Sequence, residues 1–273
     1  MKGKTIIIAE IGENHLGDIG RAKQMIAEAA KVGADVVKFQ SYLASEVADT
    51  DPEKEWFAKV QLSDEAHCEL KECAEKHGVE FLSSPFSLNR AKLLCEGLGL
   101  TKIKIASSEL LNFPLLDYVN QHAETVFLST GMATLDEIKL ALAHLSKVKN
   151  CCLLHCVTQY PAKFEEANLQ AITTLKAAFP RHPIGYSDHT IDIDACIIAV
   201  ALGAFIVEKH FTLDKNYPEG TDHIISATFE EFREMVERIR KVEIMLGDGI
   251  KQPSRGEKKI RDLARSRFGK TTS

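Results

Sequence analysis

Eight times along this chain a short apolar, β-branched run is followed by a segment with helical periodicity, and no other feature restricts the fold as tightly. The runs are TIIIAEIG at 5–12, ADVVKFQ at 34–40, VEFLSSPF at 79–86 and IKIASSEL at 103–110. They continue with TVFLSTGM at 125–132, CCLLHCVTQYP at 151–161, PIGYSDHT at 183–190 and FIVEKHFT at 205–212. Runs that are apolar on both faces belong to parallel strands covered by helices. The intervening segments carry helix punctuation. Gly33 closes 21–33, Ser63 opens 64–76, Asn112 and Pro114 open a short helix, and Thr134 precedes DEIKLALAHLSKV. Further helical patterns cover 88–97, 167–179 and 191–204, and TFEEFREMVERIRKVEIML closes the series. The segment around the lone Trp56 reads as a polar excursion. Eight such units in 273 residues predict a (β/α)8 TIM barrel over 1–250, followed by a basic tail at 251–273. An open doubly wound sheet is the alternative, but no GxGxxG turn follows the first strand.

Composition removes several function classes. A net charge of −5 and a pI near 6.1 argue against nucleic acid as the partner. No apolar run approaches the ~20 residues that span a bilayer, and MKGKTIIIAEIG lacks a cleavage site, so it reads as a first strand and not a signal peptide. The seven cysteines have no CxxC spacing, which suits reduced thiols in a cytoplasmic protein. Cys156, beside His155, is weighed as a catalytic thiol and ranked below a core thiol.

The chemistry lies where the apolar runs stop. Glu10, then Lys38 with Gln40, then Ser83 with Ser84, then Lys104 with Ser107, Ser108 and Glu109 mark the first four ends. Ser129 with Thr130, His155 with Thr158 and Tyr160, Ser187 with His189, and Glu208 with His210 mark the rest. In a barrel all these positions face one mouth, where such folds place their active sites. Turn-forming accounts for part of the serines. It does not account for lysines and a glutamate at apolar strand ends, because unpaired buried charge is costly.

Lys38 and Lys104, among Ser84, Ser107, Ser129 and Ser187, predict a cationic, hydroxyl-rich pocket for a phosphate together with a carboxylate. A Schiff-base lysine is the weaker reading. His189 and His210, at the ends of consecutive strands, predict two imidazole ligands to one divalent cation with positions left open. Glu10 and Glu109 are acid–base candidates, and Asp222, in the loop 217–223 after the eighth strand, is a candidate contact to a polyol hydroxyl.

The segments AEIGENHLGD, VVKFQ, SSPF, KIASSEL, LSTGM, LHCVTQYP, IGYSDHT and VEKHFT, in this order, resemble the sialic acid synthase family from about Thr5 to Gly247. That family includes the spore-coat polysaccharide and the legionaminic and pseudaminic acid synthases. The resemblance implies condensation of phosphoenolpyruvate with an N-acylated aldose, giving a nonulosonic acid and phosphate. It implies phosphoenolpyruvate on Lys38, Ser84, Lys104, Ser107, Ser129, Thr158 and Ser187, and Mn2+ or Mg2+ on His189 and His210. It places the sugar on Glu10, Gln40, Tyr160 and Asp222. It also implies a homodimer. Two departures stand out: Thr158 occupies a position commonly asparagine in the family, and the sequence stops at Ser273 where relatives continue into an antifreeze-like domain. The expectation is therefore a sugar site open on one side or completed by a separate antifreeze-like protein. A synthase for a different, phosphorylated aldose and a non-catalytic barrel serving as a partner are the competing readings. The intact lysine and histidine set speaks against the latter.

Overall fold

The computed structural model describes residues 3–220 and 222–267. Eight parallel strands run β1 (Ile6–Gly12), β2 (Val36–Ser41), β3 (Glu80–Pro85), β4 (Lys102–Ile105), β5 (Thr125–Ser129), β6 (Asn150–Cys156), β7 (Ile184–Asp188) and β8 (Ile206–His210). Their order is β3-β2-β1-β8-β7-β6-β5-β4, and β3 also packs beside β4, so the sheet is a nearly closed barrel. The (β/α)8 expectation holds.

Helices return the chain to the base of each strand. They are α1 (Ile19–Lys31), α2 (Lys54–Val60), α3 (Asp64–Lys76), α4 (Leu88–Lys92, continued as a wider turn to Gly97) and α5 (Phe113–His122). Then come α6 (Leu135–His144), α7 (Ala171–Ala178), α8 (Asp194–Ala201), α9 (Phe229–Leu246) and α10 (Arg255–Ser266). The caps follow the sequence signals: Ser63 accepts from Ala66 N, Asn112 from Leu115 N, and Thr134 and Glu137 form a capping box. Ring closure is fastened by α9, whose Arg240 donates to the Thr5 carbonyl at 2.9 Å and pairs with Asp35 at 3.3 Å.

Three expectations change. The excursion around Trp56 contains a helix, α2, seven residues long and mostly polar on its surface. IKIASSEL is a strand only to Ile105; Ser107–Glu109 forms a 3-10 turn. Within the basic tail, 255–266 is helical and capped by Ser254 and Glu257, with no side chain buried. The end of that tail, 268–273, lies outside the described residues, as does Thr221 of the loop over the mouth. Among the described residues no helix is long and apolar enough to cross a membrane.

Two-residue alternation splits every strand between an outer and an inner face. Ile7, Ala9, Val37, Phe39, Ile103, Ile105, Val126, Leu128 and Leu153 point outward into the helix layer. Ile8, Val36, Leu82, Phe127, Cys152, Leu154 and Ile206 point inward and form a closed hydrocarbon floor. Two residues further along the same faces, Glu10, Lys38, Ser84, Ser129, Cys156 and Glu208 line a cavity at the strands' C-terminal ends.

Candidate active site at the C-terminal mouth

The cavity above the floor has a volume of about 130 Å³. That is below the roughly 300–1,000 Å³ of sites for drug-sized ligands, and suits a small anion. Its centre holds four buried charges. Lys38 Nζ lies 2.7 Å from Glu10 and 3.8 Å from Glu208, while Lys104 Nζ lies 3.5 Å from Glu208. Glu208 also accepts from Ser187 Oγ at 2.8 Å, and Lys38 donates to Ser84 Oγ at 3.4 Å.

The groups titrate apart. Burial pushes the Glu10 carboxyl up to about 7, Lys38 opposes and Glu208 adds to the rise. Burial acts the same way on Glu208, but Lys104, Lys38 and the Ser187 hydroxyl outweigh it and hold that carboxylate below its ordinary value. Burial lowers Lys104, whereas at Lys38 the two carboxylates overcome burial and raise it. Two carboxylates in one cavity thus differ in role: one stays ionised, and the other exchanges a proton near neutrality.

The histidines meet as expected from their strands, with ring centroids 5.5 Å apart and both rings buried. His189 Nδ1 donates to the Val157 carbonyl at 2.7 Å, so Nε2 is the ring nitrogen left for a ligand or a proton. His210 Nδ1 is buried without a hydrogen bond, 3.4 Å from the Asp222 carboxylate. Burial and the charges of His189 and Lys38 hold His210 well below the ordinary histidine range, so it is a neutral imidazole. Among the described residues no three His, Cys, Asp or Glu side chains are arranged as a complete metal cage. At His189 burial favours the neutral ring, but Cys156, the Val157 carbonyl and Asp188 outweigh it and raise the group above its ordinary value, so a cation there would displace a proton. One neutral and one proton-bearing imidazole, side by side, fit a cation that would draw its remaining ligands from substrate and water.

All seven residues expected around phosphoenolpyruvate line this one cavity: Lys38, Ser84, Lys104, Ser107, Ser129, Thr158 and Ser187. So do Glu10, Gln40, Tyr160, His189 and His210. Ser129 Oγ is buried with no protein partner, as a ligand-facing hydroxyl would be. Asp222 sits at the rim, in the short helix Asp222–Ile225. Glu109 is the exception. It does not line the cavity, and its carboxylate accepts from Asn112 Nδ2 at 2.7 Å and Ser108 Oγ at 3.1 Å, so of the two acid–base candidates only Glu10 is within.

Glu208 and Cys156, with Phe86, Ala106 and Ser108, are the cavity residues that the sequence reading left out of its site assignments. Alternation from His210 through VEKH puts Glu208 on the inner face, so that signal was present. Cys156 Sγ lies 3.8 Å from His189 Nδ1; burial raises the thiol, but His189, Lys104 and Ser107 outweigh it and hold it below the usual value. Gly131 is required here, since a Cβ would fall 2.2 Å from Thr158 Oγ1 and 2.7 Å from Ser107 Oγ. A larger cavity of about 430 Å³, between α6 and α7, adjoins at Cys156, but no lysine, arginine or carboxylate lines it. The charged cavity is the candidate site of chemistry.

Comparison with known proteins agrees with this geometry. The family model described as the NeuB family matches residues 25–251. The chain belongs to the NeuB family. It is 44% identical to the N,N'-diacetyllegionaminic acid synthase of Campylobacter jejuni over 96% of this chain and 83% of that one. It is 35% identical to the N-acetylneuraminate-9-phosphate synthase of Mus musculus, over 92% of this chain and 74% of the mouse protein. Among solved structures, the sialic acid synthetase of Leptospira borgpetersenii in complex with citrate superposes with a TM-score of 0.90 at 35% identity, covering 97% and 93% of the two chains. This NeuB member therefore shares a synthase barrel along nearly its whole length.

Proposed function

We propose that the protein condenses phosphoenolpyruvate with an N-acylated aldose to give a sialic-type nonulosonic acid and phosphate. The observation that carries this is one small cavity in which two buried lysines, seven hydroxyls and two imidazoles converge above a hydrocarbon floor. Family membership makes the chain a phosphoenolpyruvate-dependent synthase, and the sugar acceptor is the finer reading. Lys38 and Lys104 supply charge for phosphate and carboxylate, while Ser84, Ser107, Ser129, Thr158 and Ser187 supply directed donors. The acceptor lies above them, against Gln40, Tyr160 and Asp222.

Chemically, C3 of the enol forms a bond to the aldehyde carbon as Glu10, protonated near neutrality, hands its proton to the aldehyde oxygen. Water adds at C2 and returns a proton to Glu10. The C2 hydroxyl then collapses to the ketone, the C2–O bond to phosphate breaks, and the departing phosphate takes the hydroxyl proton. A divalent cation, Mn2+ or Mg2+, on His189 and His210 would supply Lewis acidity beside the aldehyde. Glu10, the ladder partner of both Lys38 and His210, would move the proton, and with the floor closed the water that adds at C2 enters from the mouth.

The test is phosphate release from phosphoenolpyruvate across a panel of aldoses, N-acylated and plain, phosphorylated and not, with Mn2+ or with a chelator. Release with at least one N-acylated hexose, abolished by chelation, is expected. Turnover only with an aldose lacking the acyl group would overturn the acceptor assignment, and undiminished turnover in chelator would overturn the metal assignment. No release with any aldose would sink the synthase reading itself.

A further inference from the structure

On the outer faces of β1, β2, β4 and β5 the barrel residues named above are hydrocarbon, but at the ends of β7 and β8 that face carries Asp188 and Lys209. The two are direct partners in the β7–β8 ladder, both 0% exposed, and paired at 2.8 Å. Each precedes one of the cavity histidines by one residue, so each points away from the cavity while its neighbour points in.

The pair is more fully bonded than a simple ion pair. Asp188 Oδ1 accepts from Tyr186 Oη at 2.9 Å and from Thr190 N at 2.9 Å. Its Oδ2 accepts from Lys209 Nζ, from Thr190 Oγ1 at 3.1 Å and from Cys196 Sγ at 3.3 Å. Lys209 Nζ donates in turn to the Thr190 carbonyl at 2.5 Å. The residue after His189 is thereby held by its N–H, its hydroxyl and its carbonyl, while the residue before it supplies the carboxylate. The ammonium that closes the network belongs to the residue before His210.

A buried ion pair is a weak device for stability, because apolar side chains of the same volume usually stabilise as much. It is a strong device for fixing one backbone segment against another. We infer that Asp188 and Lys209 are positioning residues that set the spacing and aim of the His189 and His210 imidazoles, and so the affinity for a divalent cation. This rests on the reading of those imidazoles as metal ligands. Groups that orient a ligating histidine through its second ring nitrogen are worth about 10–100-fold in metal affinity, and here orientation is set through the backbone on either side of the ring.

The test is Mn2+ titration by calorimetry, without substrate, on the full-length wild type, on Lys209→Met and on the double variant Asp188→Leu/Lys209→Met, with thermal unfolding of each metal-free protein alongside. Co2+ absorption reports coordination geometry independently of turnover. The single variant leaves a buried carboxylate without its cation and is expected to lower the melting temperature. The double variant removes both charges but leaves Tyr186 Oη and the Thr190 N–H without their acceptor, so it is expected to melt below the wild type and above the single variant, and to bind Mn2+ about 10–100-fold more weakly with an altered Co2+ spectrum. A stable double variant with wild-type affinity and spectrum overturns the inference and leaves the metal reading standing. Failure of the wild type to bind Mn2+, or binding unchanged in His210→Ala, overturns the metal reading and this inference with it.

Discussion

The inside of the barrel holds two layers that differ completely in chemistry, although one strand step separates them. The lower is hydrocarbon: Ile8, Val36, Leu82, Phe127, Leu154 and Ile206, each no more than 4% exposed. The upper holds Glu10, Lys38, Lys104 and Glu208, buried just as deeply. β1, β2 and β8 contribute to both, so the difference is one of use. The floor is where the barrel is stabilised, and its low polarisability is what shifts the charged groups above it. Charges in the upper layer contribute little to folding, because the loss of hydration offsets most of their mutual attraction.

Four measurements would break or sharpen that contrast. Phe127→Ala opens a void in the floor and is expected to lower unfolding free energy by roughly 3–5 kcal/mol in urea; a loss below about 1 kcal/mol would mean the floor is not the stabilising layer. Lys104→Met, one layer up, is expected to cut turnover by roughly 10²–10³-fold and, because Glu208 keeps Lys38 and the Ser187 hydroxyl, to lower the urea midpoint by less than Phe127→Ala does. A large stability loss with intact kcat would reverse the assignment of roles.

The third concerns a histidine outside the barrel. Burial holds His67 at about 4, below its ordinary 6.5. The unfolded chain therefore takes up that proton first, and the stability present above pH 6.5 is lost as pH falls toward 4. At about 1.4 kcal/mol per pH unit, the gap is worth roughly 3 kcal/mol. Glu13, which burial pushes up to about 7, acts in the opposite sense, losing stability as pH rises from 4.5 to 7. Comparing His67→Gln with the wild type cancels that contribution, and the variant is expected to show the flatter acid limb. Parallel limbs would refute it. Smallest of all, deletion from Arg255 onward removes a helix that buries no side chain and is expected to move stability by less than about 0.5 kcal/mol.

The barrel was legible because its signals are local and repeated. Apolar runs give strands, and Thr134, Ser63 and Asn112 mark helix starts through bonds made within a few residues. The cavity was legible because a lysine at the end of an apolar run has nowhere else to be neutralised. What escaped has physical reasons. Glu208 sits between a valine and a lysine, and only face-by-face alternation separates its cavity role from the outward role of Lys209. Glu109 follows a strand that stops at Ile105, so the extra turn rotates it out of the cavity. Helix α2 is too short and too polar for periodicity to show. Helix α10 has an amphipathic pattern, but a charge-rich composition also reads as a solvated tail.

The hydrocarbon floor also has a kinetic consequence. With Phe127, Leu154 and Ile206 sealing the barrel's interior below the lysines, the cavity described here fills and empties from its mouth. In the proposed arrangement an acceptor seated above the lysines blocks the phosphoenolpyruvate beneath it, so the deeper reactant arrives first and the acceptor second. Initial-rate patterns should then be those of an ordered sequence, and an acceptor analogue should trap the deeper reactant and slow its escape.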